Sequence, residues 1–262
     1  MKLLKFLFIG LFFISCSNDD TPDTETLITE INPSLNNQDG QNFTFEYDSD
    51  RRLIKKNGGF ILLPVSTGYS SRYSKDIHTS FTYVNNTVTI ENFSTSPDFT
   101  VPKNTRFVTL NSSNQIISKE IPNTFNNYHS KKQSFIYNGN KLEKIVTTFP
   151  NMIYDASDPT DYVISYVENF YYDANGNLTK SEYFEQQNGV SKGEKIIRTF
   201  EDYDSSGNPF KKLYLLDEFF YRSLSNNNFR KYTEIQYSND VIGNQTTSSW
   251  TFSYDSNGQI KI

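Results

Sequence analysis

Histidine, cysteine, methionine and tryptophan are nearly missing from this chain of 262 residues, which holds 2 His, 1 Cys, 2 Met and 1 Trp. A single Cys excludes an internal disulfide and a Cys-rich zinc module. His78 and His129 have no His, Cys or carboxylate partner at ligand spacing, so no local metal site and no cofactor are expected. Basic residues are also short, with 25 Lys and Arg against 30 Asp and Glu and a net charge of −5. That balance argues against nucleic acid as a partner and against a polybasic membrane contact. Strong helix formers are sparse, and no long stretch places apolar residues at i, i+3 and i+4. The one long apolar run, Phe6 to Ile14, is shorter than the roughly 20 residues of a membrane-spanning helix. There is no P-loop, no Gly-x-Ser-x-Gly elbow and no His-Glu-x-x-His.

What the chain has instead is aromatic side chains, 22 Phe and 18 Tyr, arranged in a repeat. Phe43-Thr44-Phe45-Glu46-Tyr47-Asp48 leads through a polar bend into Leu53. Phe135-Ile136-Tyr137-Asn138-Gly139 leads into Leu142, and Phe170-Tyr171-Tyr172-Asp173-Ala174-Asn175-Gly176 leads into Leu178. Tyr203-Asp204-Ser205-Ser206-Gly207 leads into Phe210, and Phe252-Ser253-Tyr254-Asp255-Ser256-Asn257-Gly258 into Ile260. Weaker copies begin at Phe81, Phe107 and Tyr232. An aromatic and a Tyr two apart share one face of a strand. Asp or Asn then caps its own turn, Gly supplies positive φ, and Leu resumes the apolar face. The pattern predicts an all-β antiparallel meander of about eight β-hairpins, with bends at Gly139, Gly176, Gly207 and Gly258. Whether the sheet is an open twisted layer, an open barrel or a solenoid is left open by the pattern.

At these residues the chain resembles YD-repeat proteins of the Rhs and teneurin group. It is also similar to short β-repeat lipoproteins of Bacteroidetes. The Rhs resemblance implies a β-hairpin array. It does not carry over the encapsulating shell, because eight hairpins are too few to enclose cargo. A diverged accessory protein of an Rhs system is one alternative that the resemblance raises.

The N-terminus reads as an export signal. Lys2 and Lys5 flank a short basic start, Phe6 to Ile14 is apolar, and Phe13-Ile14-Ser15-Cys16 precedes polar Ser17-Asn18-Asp19-Asp20. This resembles the lipobox of bacterial lipoproteins, which implies cleavage before Cys16 and acylation of its thiol. The acids after Cys16 resemble the export tag of Bacteroidetes surface lipoproteins. The implied location is the outer membrane, surface-exposed, with a periplasm-facing anchor as the alternative. Acyl chains contribute about 0.8 kcal/mol per buried methylene, so two or more hold a protein durably on a bilayer. Three regions are expected: a signal peptide over 1–15, the lipidated Cys and a flexible tether over 16–40, and the hairpin domain over 41–262. A first strand at Thr26 to Ile31 is a possibility within the tether.

No residue is assigned a catalytic role, and the leading expectation is a non-enzymatic module that binds a glycan or an envelope protein, or acts as a scaffold. Tyr171, Tyr172, Phe219, Phe220, Tyr221 and Trp250 are its candidate binding surface, weighed against a core role, which is the usual fate of large aromatics. The stretch Tyr162 to Tyr172, with aromatics on both faces, is the best candidate for an exposed contact patch. The alternative is a glycan hydrolase using two carboxylates. Glu201-Asp202 and Asp217-Glu218 are acidic pairs, but adjacent residues of a strand point to opposite faces. Asp173 to Asn177 and Asp255 to Gly258 faintly resemble calcium loops, yet Gly falls at position four rather than six, so they read as turns.

Overall fold

The computed structural model describes residues 27–32, 42–66, 68–101, 104–122, 130–256 and 260–261. The expected signal peptide, Cys16, most of the tether, His129 and Gly258 lie outside them. The chain forms a meander of strands β1 (Glu30–Ile31), β2 (Phe43–Tyr47), β3 (Leu53–Val65), β4 (Gly68–Val84), β5 (Thr87–Ser94), β6 (Asn104–Leu110) and β7 (Ile116–Ile121). It continues through β8 (Lys131–Asn138), β9 (Lys141–Thr148), β10 (Ile164–Tyr172), β11 (Leu178–Gln187), β12 (Val190–Tyr203), β13 (Phe229–Ser238) and β14 (Val241–Ser249). These form one 14-stranded sheet in which neighbours in sequence are neighbours in space. Every pairing within it is antiparallel, as the repeat predicts. A small ribbon of β15 (Ser253–Tyr254) and β16 (Ile260–Lys261) stands apart. The sheet does not close, since β1 and β14 are not paired. Folded contacts reach back to Ile28, which is buried ahead of the expected boundary at residue 41.

The turns show why Asp or Asn follows the aromatic residue. Asp48, Asn111 and Asp173 each open a five-residue loop of one geometry. In each, the Asx backbone N–H donates to the carbonyl four residues on (Arg52, Gln115, Asn177). The side-chain Oδ1 accepts from that same residue's N–H at 2.9, 2.9 and 2.8 Å. The fourth loop position carries positive φ, filled by Arg51 (60°), Asn114 (59°) and Gly176 (81°). Glycine is thus one solution to that position and not a requirement. Gly139 (φ 59°) sits in the tighter bend between β8 and β9.

Gly207 does not close a hairpin as expected. Asp204 opens the same kind of loop, but its N–H donates to the carbonyl of Asn228 at 3.1 Å, and its Oδ1 accepts from the Asn228 N–H at 3.1 Å. Asn228 thereby occupies the place of Arg52 or Asn177, and Phe229 pairs with Tyr203 as Leu53 pairs with Tyr47. The residues between are an insertion within one turn, referred to below as the inner segment. It starts where Asn208 Oδ1 accepts from the Phe210 N–H at 2.9 Å, with Pro209 at the first helical position. Two 3₁₀ turns (Pro209–Leu213, Asp217–Phe219) and one α-helical turn, α1 (Phe220–Ser223), follow.

The inner segment covers the buried face of the sheet. Phe219 packs on Phe45 of β2, Phe220 on Phe135 of β8 and Phe170 of β10, and Tyr221 on Phe200 of β12. In a flat sheet β2 and β12 lie about 48 Å apart at about 4.8 Å per step. Three consecutive residues span at most about 11 Å. The sheet therefore curls around the segment, and its inner face supplies the core: Phe45, Leu53, Val88, Val108, Leu142 and Leu178 among others.

The repeated Tyr has a second function. Tyr47 donates to the Ile28 carbonyl at 2.8 Å, and Tyr83 to the Leu53 carbonyl at 3.0 Å. Tyr203 donates to the Leu178 carbonyl. Tyr83 and Tyr203 each tie one hairpin to the apolar residue just past an earlier turn, whereas Tyr254 in the last copy donates to Asp204 Oδ2 at 2.8 Å. Leu110, which holds the Tyr position in its copy, has no hydroxyl for this bond.

Two outcomes follow. Tyr83→Phe leaves the Leu53 carbonyl without its donor and lowers unfolding free energy by about 1–2 kcal/mol in urea titration. Burial raises Tyr137, Tyr203 and Tyr214 from 10.0 to about 12. The phenol is thus kept neutral by the fold, and this contribution is complete below pH 10 and lost as pH rises toward 12. Phenolate absorbance should lag that of the urea-unfolded chain and rise together with loss of sheet circular dichroism.

Candidate functional site

Among the described residues at least three clefts open on the inner face. One of about 350 Å³ lies toward the turn ends, lined by Tyr137, Tyr172, Tyr214 and Phe220 without a carboxylate, and two others hold carboxylates. The first of these two, about 250 Å³, lies between β6–β10 and the inner segment, and its lining includes Lys119, Gln133, Glu168, Asp217, Phe220 and Tyr221. Three cations point inward here from strand positions that bury them: Lys56, Arg106 and Lys119. The inner segment brings them carboxylates. Asp217 Oδ2 lies 2.6 Å from Arg106 Nη1 and its Oδ1 2.5 Å from Lys119 Nζ, while Glu218 pairs with Lys56. Asp217 and Glu218 keep much of their side-chain surface open to solvent, and each also clamps the sheet. Next to them, Glu168 Oε1 accepts from Tyr221 at 2.8 Å and Arg198 at 3.1 Å. Arg198 also reaches Glu234 at 3.0 Å. Burial works against the Arg198 charge, but Tyr221, Glu168, Tyr232 and Glu234 around it hold its pKa above the ordinary value. Burial, then Glu168, raises the Tyr221 phenol.

The second cleft, about 240 Å³, lies on the curled sheet toward the ends of β10–β13 away from the inner segment. Tyr166 and Tyr183 stack there with centroids 5.3 Å apart and planes 9° from parallel, and Phe149 meets Tyr166 edge-on at 5.8 Å. Strand register explains the array. Glu168 opposes Tyr183, Tyr183 opposes Ile196, and Ile196 opposes Gln236, so one row crosses four strands on a single face. Glu185 opposes Tyr166, and Glu194 completes the polar lining. Burial first, then Glu185, raises the Tyr166 phenol. Burial, then Tyr166, raises Tyr183 to about 12. Both hydroxyls are therefore neutral donors at physiological pH.

The six aromatics singled out from sequence do not form one surface. Phe219, Phe220 and Tyr221 belong to the inner segment and pack against the core. Tyr172 also packs against the core, whereas Tyr171 is exposed, donating to Glu182 at 2.8 Å beneath the Lys180 ammonium. Trp250 is 38% exposed and packs edge-on against Phe229. With Phe210, Phe229 and Phe252, it surrounds the Arg222 guanidinium, 4.4 Å from the Trp250 ring. Burial lowers the Arg222 pKa to about 10. Tyr166 lies in the aromatic stretch 162–172, and Tyr183, on the other strand of the same hairpin, was missed because only the register of β10 and β11 sets the two side by side. Among the described residues, no group of three or more His, Cys, Asp or Glu is placed to hold a metal ion.

No known protein family and no curated protein matches the chain. Among solved structures, a porin-like protein from Bacteroides uniformis aligns with 84% of this chain and 80% of its own, at 13% identity and a TM-score of 0.48. A porin-like protein from Bacteroides vulgatus aligns with 86% and 87%, at 14% identity and a TM-score of 0.43. At this level the likeness assigns neither a family nor a function.

Asp217→Asn leaves Lys119 and Arg106 buried without their counter-charge. It is expected to cost about 2 kcal/mol in denaturant unfolding, and adding Lys119→Met should return part of that loss.

Proposed function

We propose that this chain is a lipid-anchored module of the outer membrane that binds a segment of a glycan on the Tyr166–Tyr183 stack without cleaving it. The anchor rests on Cys16 behind its basic and apolar leader. The binding reading rests on one observation, the stacked tyrosines in a groove that also offers Glu185, Glu194 and Gln236. Aromatic faces take the apolar face of a sugar ring, and carboxylates and amides take its hydroxyls. At about 240 Å³ the groove falls below the roughly 300–1,000 Å³ of pockets that enclose a small molecule. It suits one or two units of a longer chain passing across the sheet.

The hydrolase alternative draws on Glu168 and Asp217, which line one cleft. Glycoside hydrolysis needs one carboxyl that carries a proton and one with an oxygen free for water or the sugar. Both oxygens of Asp217 face cations, and Glu168 Oε1 faces Tyr221 and Arg198. That arrangement holds two anions in place and favours binding over turnover.

A glycan array probed with the detergent-solubilised full chain tests the reading. Tyr166→Ala or Tyr183→Ala should weaken a retained glycan by about tenfold or more, about 1.4 kcal/mol, with the thermal midpoint little changed. Unchanged retention in both variants removes the groove from consideration, and release of shortened glycan would instead establish the hydrolase.

A further inference from the structure

The two edges of the sheet are unlike. β1 is two residues long and carries Glu30. β14 is nine residues long and exposed at every position. Its sequence, Val-Ile-Gly-Asn-Gln-Thr-Thr-Ser-Ser, contains no charge and no proline. Each of the other thirteen strands of the sheet carries at least one Asp, Glu, Lys or Arg. Natural edge strands are guarded against pairing by charge, proline, shortness or bulges. β14 has one such guard, a bulge that leaves Gly243 without a partner opposite Gln236 and Tyr237. Beyond it, Asn244 to Ser249 pair with β13 without interruption. The outer side of that stretch presents unpaired backbone N–H and C=O groups along about 20 Å. Among the described residues nothing pairs with it.

We infer that β14 is the docking edge for β14 of a second copy of this chain, paired antiparallel about a two-fold axis. Backbone chemistry calls for an extended strand as the occupant. Charge selects which one. The chain is acidic overall, and self-pairing sets each side chain against one from the same strand, so any charge near the axis would face its like. β14 is the one strand of this sheet free of that penalty. The edge at β1 is too short to serve, which disfavours head-to-tail growth and leaves a closed pair. Opposed residues of an antiparallel pair must have the same hydrogen-bonding type, so the axis passes through a residue. Centring on Thr246 or Thr247 overlaps the regular stretch most fully, with Thr opposite Thr, a favourable cross-strand pair.

Cysteine cross-linking of the full chain in its own membranes tests this. Thr246→Cys and Thr247→Cys place two thiols opposite each other within disulfide reach if the axis passes there. Mild oxidation should convert at least one of them to a disulfide of twice the chain mass. Wild type, which reports on Cys16, and Thr82→Cys on exposed β4 should stay single. Adding Gln245→Lys should reduce the cross-link at least tenfold. Co-expressing Gln245→Lys and Gln245→Glu forms of the cysteine variant should restore it. Native circular dichroism and thermal midpoint for each variant separate edge disruption from misfolding. No double-mass product from either cysteine, an equal yield from Thr82→Cys, or a disulfide to a different protein would each overturn the inference.

Discussion

A single-layer sheet has to bury one of its faces, and among the described residues there is only a two-stranded ribbon beside it and no long helix with which to do it. Most domains solve the problem with a packed second layer. Here the cover is the inner segment, about twenty residues inserted into one turn. So small a cover cannot hide fourteen flat strands. The inner faces meet it only because the sheet curls, and the curl is held because residues 217–221 contact strands from β2 to β12. Right-handed twist predisposes a long meander to coil. The inner segment gives that coil a fixed radius.

Charge sets how the segment sits. Lys56, Arg106 and Lys119 project into the interior, where an isolated cation is costly. Asp217 and Glu218 meet all three from one turn of chain. Their outer sides remain open to solvent, so each pair is only half desolvated. Hydrophobic contacts alone would let Phe219, Phe220 and Tyr221 slide among similar aromatic neighbours. Two adjacent acids facing cations on separate strands specify one register.

The repeat was legible because its chemistry is local. Alternating apolar residues, an Asx and a positive-φ position all lie within one loop, and Asp48, Asn111 and Asp173 use them in the same way. The tyrosine hydroxyl bonds were not legible, because each depends on which hairpin lies next door. The inner segment hid inside a faithful motif: Tyr203-Asp204 reads like any other copy, and its partner Asn228 lies 24 residues on. A local sign was present. Phe219-Phe220-Tyr221 are three consecutive large aromatics with no Asx–Gly turn after them, unlike Phe170-Tyr171-Tyr172 of β10, which leads into Asp173 and Gly176. Asn208-Pro209 ahead of them is a helix-start signal. The stacked pair at the groove was legible only in half: Tyr166 lies in a stretch with aromatics on both faces, but Tyr183 joins it through the register of the paired strand.

The place of the inner segment in the chain also matters for how the fold forms. A simple hairpin array assembles by neighbour contacts and can nucleate anywhere along its length. In this chain the strands up to β12 precede the segment that covers them. The Lys56–Glu218 pair joins residues 162 apart in sequence, and Arg106–Asp217 joins residues 111 apart. Such closures carry a high contact order, which slows folding. They also couple early hairpins to late ones, so a locally built array gains a long-range lock. Until residues 217–221 are in place, the inner faces of a dozen strands stay wet. Afterwards, loosening β3 or β7 costs the ion pairs and the aromatic packing of the same short segment, and the meander behaves as one cooperative body instead of a string of independent hairpins.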